Sequence, residues 1–263
     1  MNSAFSSIRN TNKVGPLDCW NVGQVTDMNR MFDASHFNQP INAWNVSNVN
    51  NMRYMFGSSD FNQPIDAWDV SSVYNMEEMF QESYFNQPID AWDVSNVDNM
   101  NYMFSATSFS QPIDAWNVGK VKTMASMFRY SNFNQPIDAW DVSNVDNMKE
   151  MFRSSYFDQT IDTWDVSNVD NMEGMFYKSD FNQPIDAWDV GNVKTMENMF
   201  LQSRFNQCLE TWANKTPFNV TTTKMFEDTV CTNWTGPEPT AGPWCQTTTD
   251  GCFVSSSESP SSS

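Results

Sequence analysis

Large apolar residues return along this chain at one fixed interval. Trp20, Trp44, Trp68, Trp92, Trp116, Trp140, Trp164, Trp188 and Trp212 stand 24 residues apart, and Phe37, Phe61, Phe85, Phe109, Phe133, Phe157, Phe181 and Phe205 keep the same beat. A constant period of this length marks stacked repeats, units that bury their apolar faces only against their neighbours. In the unit spanning 65–85 the apolar positions are Ile65, Trp68, Val70, Val73, Met76, Met79, Phe80 and Phe85. Trp68 and Val70 alternate with Ala67, Asp69 and Ser71, the period of a half-buried strand. Met76, Met79 and Phe80 fall at i, i+3 and i+4, one face of a helix. Asn75 is placed to cap that helix, with Glu78 three residues later as in a capping box, and Asn147 and Glu150 repeat the pair. The expected fold class is therefore an α/β repeat solenoid, with one short parallel strand and one short helix per 24-residue unit. Such strands would add at about 4.8 Å each. Leucine occurs only at Leu17, Leu201 and Leu209, so Trp, Met and Phe must fill the core. The recurring Met pairs read as gap-filling core rather than a metal or cofactor box.

The opening of the unit, I-x-x-W-x-V, has the apolar spacing of a leucine-rich-repeat strand. The longer motif WDVSNVDNMxxMFxxxxFNQPIDA resembles the repeat of BspA-like surface proteins, the DUF285 family, over about residues 17–226. The stretch GPWCQ at 242–246 is similar to the end-module of algal members. The resemblance implies a leucine-rich-repeat-like stack, a surface or secreted location, and adhesion or binding. It brings no catalytic residues with it.

Four regions are expected. Residues 1–16 form an irregular or partial repeat; Phe5 stands in for the usual Met-Phe about three residues out of register, as though the array started upstream. No apolar leader core is visible there. Residues 17–226 hold about nine units. In the ninth, Cys208, Leu209 and Glu210 replace Pro, Ile and Asp, and two extra residues precede Met225 and Phe226. Residues 227–254 read as a turn-rich, cysteine-containing cap over the last unit's core. The Ser-rich 255–263 reads as a disordered tail.

Variation between units concentrates at the paired positions of the expected helix (Arg53-Tyr54, Glu77-Glu78, Ala125-Ser126, Lys149-Glu150) and in the loop before the repeat Phe, such as Asp33-Ala34-Ser35-His36. Both are expected to face solvent. Arg129, Tyr130, Arg153 and Tyr156 on neighbouring loops form a candidate partner-binding patch, since Arg and Tyr are frequent contact residues.

Charge and chemistry narrow the function. The net charge is −18, from 14 basic and 32 acidic residues, which disfavours nucleic acid and anionic membranes as partners. No apolar run is long enough to span a bilayer. His36 is the sole histidine, no Gly-rich phosphate loop occurs, and C-x-x-C is missing, so neither catalysis nor a zinc site is expected. Stacking should align Asp69, Asp93, Asp141, Asp165 and Asp189 in one column, with Asn21, Asn45 and Asn117 in the gaps. Like charges about 5 Å apart repel by roughly 0.8 kcal/mol in water. Calcium bridging the column is one remedy. The alternative is local: in D-V-S-N each Asp accepts from the backbone two residues on, an Asx-turn that Asn makes equally well. A second column runs through Asp66, Asp90 and Asp114, and the Asn of F-N-Q reads as an internal ladder. Cys208, Cys231, Cys245 and Cys252 are disulfide candidates with three possible pairings, leaving Cys19 over. Sequons at Asn214, Asn219 and Asn233, with a poorer one at Asn45, join the cysteines in favouring the secretory route.

The expected function is thus a non-enzymatic extracellular or cell-surface scaffold for adhesion or recognition of a protein or surface glycan, without cofactor unless calcium binds. The competing readings are a calcium-dependent, mineral- or ice-surface binder using the Asp columns, and the ectodomain of a membrane-anchored receptor.

Overall fold

The structure, a computed structural model, describes residues 17–231 and 236–245. The expectations for 1–16, Asn233, Cys252 and 255–263 lie outside those residues.

Each unit pairs with the next through one parallel bridge, in the order Asp27, Asn51, Asn75, Asn99, Thr123, Asn147, Asn171, Thr195, Thr221. The apolar positions read from the period form one continuous core from Leu17 to Phe226, nearly all of it inaccessible to solvent. Phe columns run along it. Phe56 stacks on Phe61 at 4.1 Å within a unit and on Phe80 at 5.7 Å in the next.

The expected α/β solenoid is not what forms. Among the described residues no multi-residue strand occurs, and the only α-helix is the four-residue α1, Trp212–Lys215. Around 65–73 the chain turns twice, closed by Trp68 N–H to the Ile65 carbonyl (3.2 Å) and Val73 N–H to the Val70 carbonyl (2.9 Å). The Ser71 N–H goes to Asp69 Oδ1 at 3.1 Å. The alternation of buried and exposed side chains there is real, but it belongs to a short segment between two turns and not to a paired strand. What ties these segments together is the tryptophan. Trp68 Nε1–H donates to the Ile41 carbonyl of the preceding unit (3.2 Å), Trp92 to Ile65 (3.1 Å), and so on to Trp212 and Ile185 (3.2 Å). Leucine has no such donor, which explains why Trp stands at this position.

The expected helix over 76–80 fails for an equally specific reason. The amides of Met76, Glu78, Phe80 and Glu82 donate forward to Asn99, Asn101, Met103 and Ser105 of the next unit (2.8–3.0 Å). The intervening amides of Met79, Gln81 and Ser83 close tight turns on Met76, Glu78 and Phe80. Glu78 and Glu82 therefore adopt left-handed φ values of 59° and 55°, and the same two places do so in every described unit. A helix needs all its amides within the segment; here alternate ones are committed to the neighbour. No capping box forms either, because Asn75 Oδ1 accepts from Glu77 N–H (2.9 Å) in an Asx-turn. The expectation that the paired positions all face solvent is also corrected: Glu78 is only 7% exposed and Ser126 only 1%. In the following loop Ser35, Ser59 and Ser131 are buried, each folded back in a local turn, with Ser59 Oγ donating to the Phe56 carbonyl at 2.8 Å.

The helix α1 appears only in the unit that carries two extra residues, where the bridge step lengthens from Thr195 to Thr221. Beyond it the chain returns to cover the last core. Leu209 and Trp244 exchange both backbone hydrogen bonds (3.0 and 3.1 Å), and the buried Trp244 meets Trp212 edge to face at 6.4 Å. Cys231 and Cys245, both fully buried, form a disulfide across this cap.

Candidate functional site

Stacking converts positions within the unit into columns on the surface. The residue before the bridge runs Thr26, Asn50, Tyr74, Asp98, Lys122, Asp146, Asp170, Lys194, and it changes character at almost every step. Its backbone is fixed, each amide donating to the same position one unit earlier, as Lys122 to Asp98 (2.9 Å) and Asp146 to Lys122 (2.8 Å). Its side chains are largely exposed. Beside it runs a column containing Asn96, Lys120, Asn144 and Asn168. Asn96 Nδ2 donates to the Ser71 carbonyl, Asn144 Nδ2 to Gly119 and Asn168 Nδ2 to Ser143, all at 2.7 Å. Each anchored carboxamide keeps its carbonyl oxygen and one N–H for other partners. Lys120 Nζ takes up the Asn96 carbonyl at 2.6 Å.

Between these columns lies an open groove of about 850 Å³, lined by Asn96, Asp98, Lys120, Lys122, Asn144 and Asp146. Gly119 forms part of its floor; a Cβ there would lie 3.3 Å from Asn117 Oδ1 and Asp141 Oδ2. The groove presents alternating positive and negative groups among fixed carboxamides. It offers hydrogen bonds and ion pairs, with no apolar anchor. The repeat pattern alone does not reveal it; its one trace in the sequence is the changing residue that follows the recurring Val73 position.

Of the patch expected at Arg129, Tyr130, Arg153 and Tyr156, the structure gathers the first three. Arg129 lies over the Tyr130 ring at 4.9 Å, and Arg153 approaches the same ring at 5.8 Å and Tyr177 at 4.7 Å. Glu150 sits between the guanidiniums and pairs with both. A hydrogen bond from Arg129 draws the Tyr130 phenol below its usual range. Tyr156 is well exposed and belongs to the adjacent column, its amide bonded to Ser131. A related arrangement holds Tyr54 between Arg30 (4.2 Å) and Arg53 (5.1 Å). There burial raises Glu78, against the opposing pull of Arg53 and Arg30, and raises Asp33 against Arg30.

The Asp column takes part in local turns. Asp69 Oδ1 accepts Ser71 N–H (3.1 Å) and Oγ–H (2.6 Å); Asp93, Asp141, Asp165 and Asp189 accept the equivalent amide at 3.0–3.1 Å. Asn21, Asn45 and Asn117 make the same bond. Hydrogen bonds from Ser95, Ser143 and Ser167 hold the Asp93, Asp141 and Asp165 carboxyls below their usual range. Among the described residues, no group of three or more His, Cys, Asp or Glu side chains gathers as a metal centre requires. The F-N-Q asparagines ladder between units: Asn62 Oδ1 accepts Asn86 N–H (2.9 Å) and Gln87 Nε2–H (3.0 Å). His36 Nδ1 lies 2.6 Å from Asp60 Oδ2 on the exposed loop column.

At the cap, Cys208 is also disulfide-bonded. Asn214 lies in α1, and its sequon threonine, Thr216, is buried and donates to the Trp212 carbonyl at 3.0 Å. Asn219 is exposed in a turn. Asn45 sits in an Asx-turn rather than the expected strand. No described helix is long and apolar enough to cross a membrane.

A ladder of 24-residue coils bonded edge to edge, closed by a disulfide-bearing cap, defines a stacked-repeat protein. The chain belongs to the DUF285 family, described as "Mycoplasma protein of unknown function", whose model matches residues 1–105, 81–156 and 129–235. No curated protein and no solved structure matches the chain.

Proposed function

We propose that the chain is a non-catalytic recognition scaffold acting outside the cell, and that a protein or surface glycan docks in the groove around Lys120 and Lys122. The observation that supports this reading is the division of labour along the unit. Most residues that recur from unit to unit are consumed in the core or in bonds between units, whereas Asp98, Lys120, Lys122 and Asp146, which break the repeat, stand together along an open polar groove between anchored asparagines. Repeat proteins use rigid arrays in this way to hold variable side chains at fixed spacing. The disulfides support an oxidising, extracellular setting.

Whole cells and an oligosaccharide array, offered to beads carrying the full chain, test the reading. Retention that disappears with Lys120→Glu/Lys122→Glu and survives Arg129→Ala supports the groove. No retention, or retention indifferent to the lysines, would sink it.

A further inference from the structure

Phe218 is the most exposed large apolar side chain of the described residues, at 84%. Burial is the ordinary fate of a phenylalanine, and here the ring stands on the surface immediately before Asn219. The two are the central residues of a tight turn closed by the Val220 amide on the Pro217 carbonyl at 3.2 Å. In the regular units an asparagine near this place spends its Nδ2 on the preceding unit, as Asn192 does on Ser167 at 2.7 Å. Among the described residues the Asn219 carboxamide makes no such bond. Thr221, two residues on, is exposed.

The Asn214 and Asn45 sequons are less well placed. Thr216 of the Asn214 sequon is buried with its hydroxyl committed to α1. The Asn45 carbonyl is held by both the amide (3.1 Å) and the hydroxyl (2.7 Å) of Ser47, in a column flanked by Asn21 and Asp69.

We infer that Asn219 is an N-glycosylation site and that the Phe218 ring is the shelf on which the first sugar rests. The apolar C–H face of a pyranose can lie against an aromatic ring, removing exposed apolar surface from water. The reaction requires a polyprenyl-pyrophosphate-linked oligosaccharide as co-substrate. The Asn219 nitrogen attacks C1 of the reducing-end sugar, the C1–O bond to pyrophosphate breaks, a C1–N bond forms, and the amide loses one proton. No electrons change hands beyond the displaced pair.

The inference rests on the secretory placement proposed above but not on the groove, so groove variants leave it untouched. The test is expression of the full 263-residue chain behind a secretion leader in eukaryotic cells. Secreted and cell-retained material is pooled, treated with peptide N-glycosidase in heavy-oxygen water and mapped by mass. The expected result is the Asn→Asp mass shift on the Asn219 peptide, its loss in Asn219→Gln, and a several-fold lower occupancy in Phe218→Ser. Occupancy confined to Asn45, Asn214 or Asn233, or none at all, would overturn the site. Undiminished occupancy in Phe218→Ser, together with a melting midpoint unaffected by glycan removal from the parent chain, would overturn the shelf.

Discussion

At the scale of single residues, the fold depends on backbone conformations that most of its side chains resist. Ala106 has φ 55° and an exposed side chain, so it carries the steric cost of the left-handed region with little packing in return. That cost is about 1–2 kcal/mol, offset in part by the chain entropy glycine adds to the unfolded state. Ala106→Gly should therefore raise stability by about 0.5–1 kcal/mol in urea denaturation. Gly174→Ala should lower it by at least as much, since φ there is 60° and a Cβ would lie 3.3 Å from Glu150 Cγ. The aspartates give a second residue-scale prediction. Asp93, Asp141 and Asp165 are held below the ordinary carboxyl range by serine hydrogen bonds, so they bind protons less readily folded than unfolded. Their contribution is complete above the unfolded value of about 3.9 and is lost as pH falls through the folded values. Half-buried Asp33 and buried Glu78 act in the opposite sense, because their raised values penalise ionisation and the penalty lifts on acidification. Asp141→Asn keeps the turn, as Asn117 does one unit earlier, and should flatten the loss of stability below about pH 4 while leaving the neutral-pH midpoint nearly unchanged.

At the scale of the element, periodicity identified the core and misidentified the backbone. Met76, Met79 and Phe80 share a buried face, as their spacing requires, yet the same spacing is produced by a run of tight turns whose alternate amides point to the next unit. The distinguishing sign would be glycine or asparagine at the left-handed places, and only Gly174 and Asn198 supply it; Tyr54, Glu78, Tyr102 and Glu150 conceal it. The Asx-turns were legible because D-V-S-N carries its own acceptor and donor two residues apart. The groove was not, because it exists only once Asn96, Lys122 and Asn144, from different units, are stacked. The tryptophan column was legible as core, but not as a hydrogen-bond ladder, since nothing in the period reveals where Nε1–H points. Trp116→Phe tests that second role. It leaves the Ile89 carbonyl, now partnered at 3.0 Å, buried without its donor. An unsatisfied buried acceptor costs about 1–3 kcal/mol, beyond any loss of packing. The expected result is a clear drop in the denaturation midpoint with the aromatic stack retained. A change below a few tenths of a kcal/mol would show that the indole N–H contributes nothing.

At the scale of the whole molecule, each coil bonds only to its two neighbours, so stability should be distributed as nearest-neighbour terms, with the ends weakest. The C-terminal end is secured by the Leu209–Trp244 bridge, the Trp212–Trp244 contact and the Cys231–Cys245 disulfide. The disulfide closes a loop with a sequence separation of 14, for which the chain-entropy account gives about 3 kcal/mol. Removing it with Cys231→Ala/Cys245→Ala leaves Cys208 intact and avoids the ambiguity of a reductant. The opened cap should expose the Trp212 face, and the amides of Phe200, Gln202, Leu209 and Trp244 should exchange with solvent markedly faster. The amides of Met28, Phe32 and Phe56 lie many coils away and should keep their protection, because each described coil hydrogen-bonds only to its neighbours. Hydrogen exchange resolved by peptide separates the alternatives. Acceleration fading within one or two units of the cap means that the array is a sum of local interfaces. Equal acceleration from Met28 to Phe226 means that the aromatic core melts as one body, and that a perturbation at one end of the groove would be felt at the other.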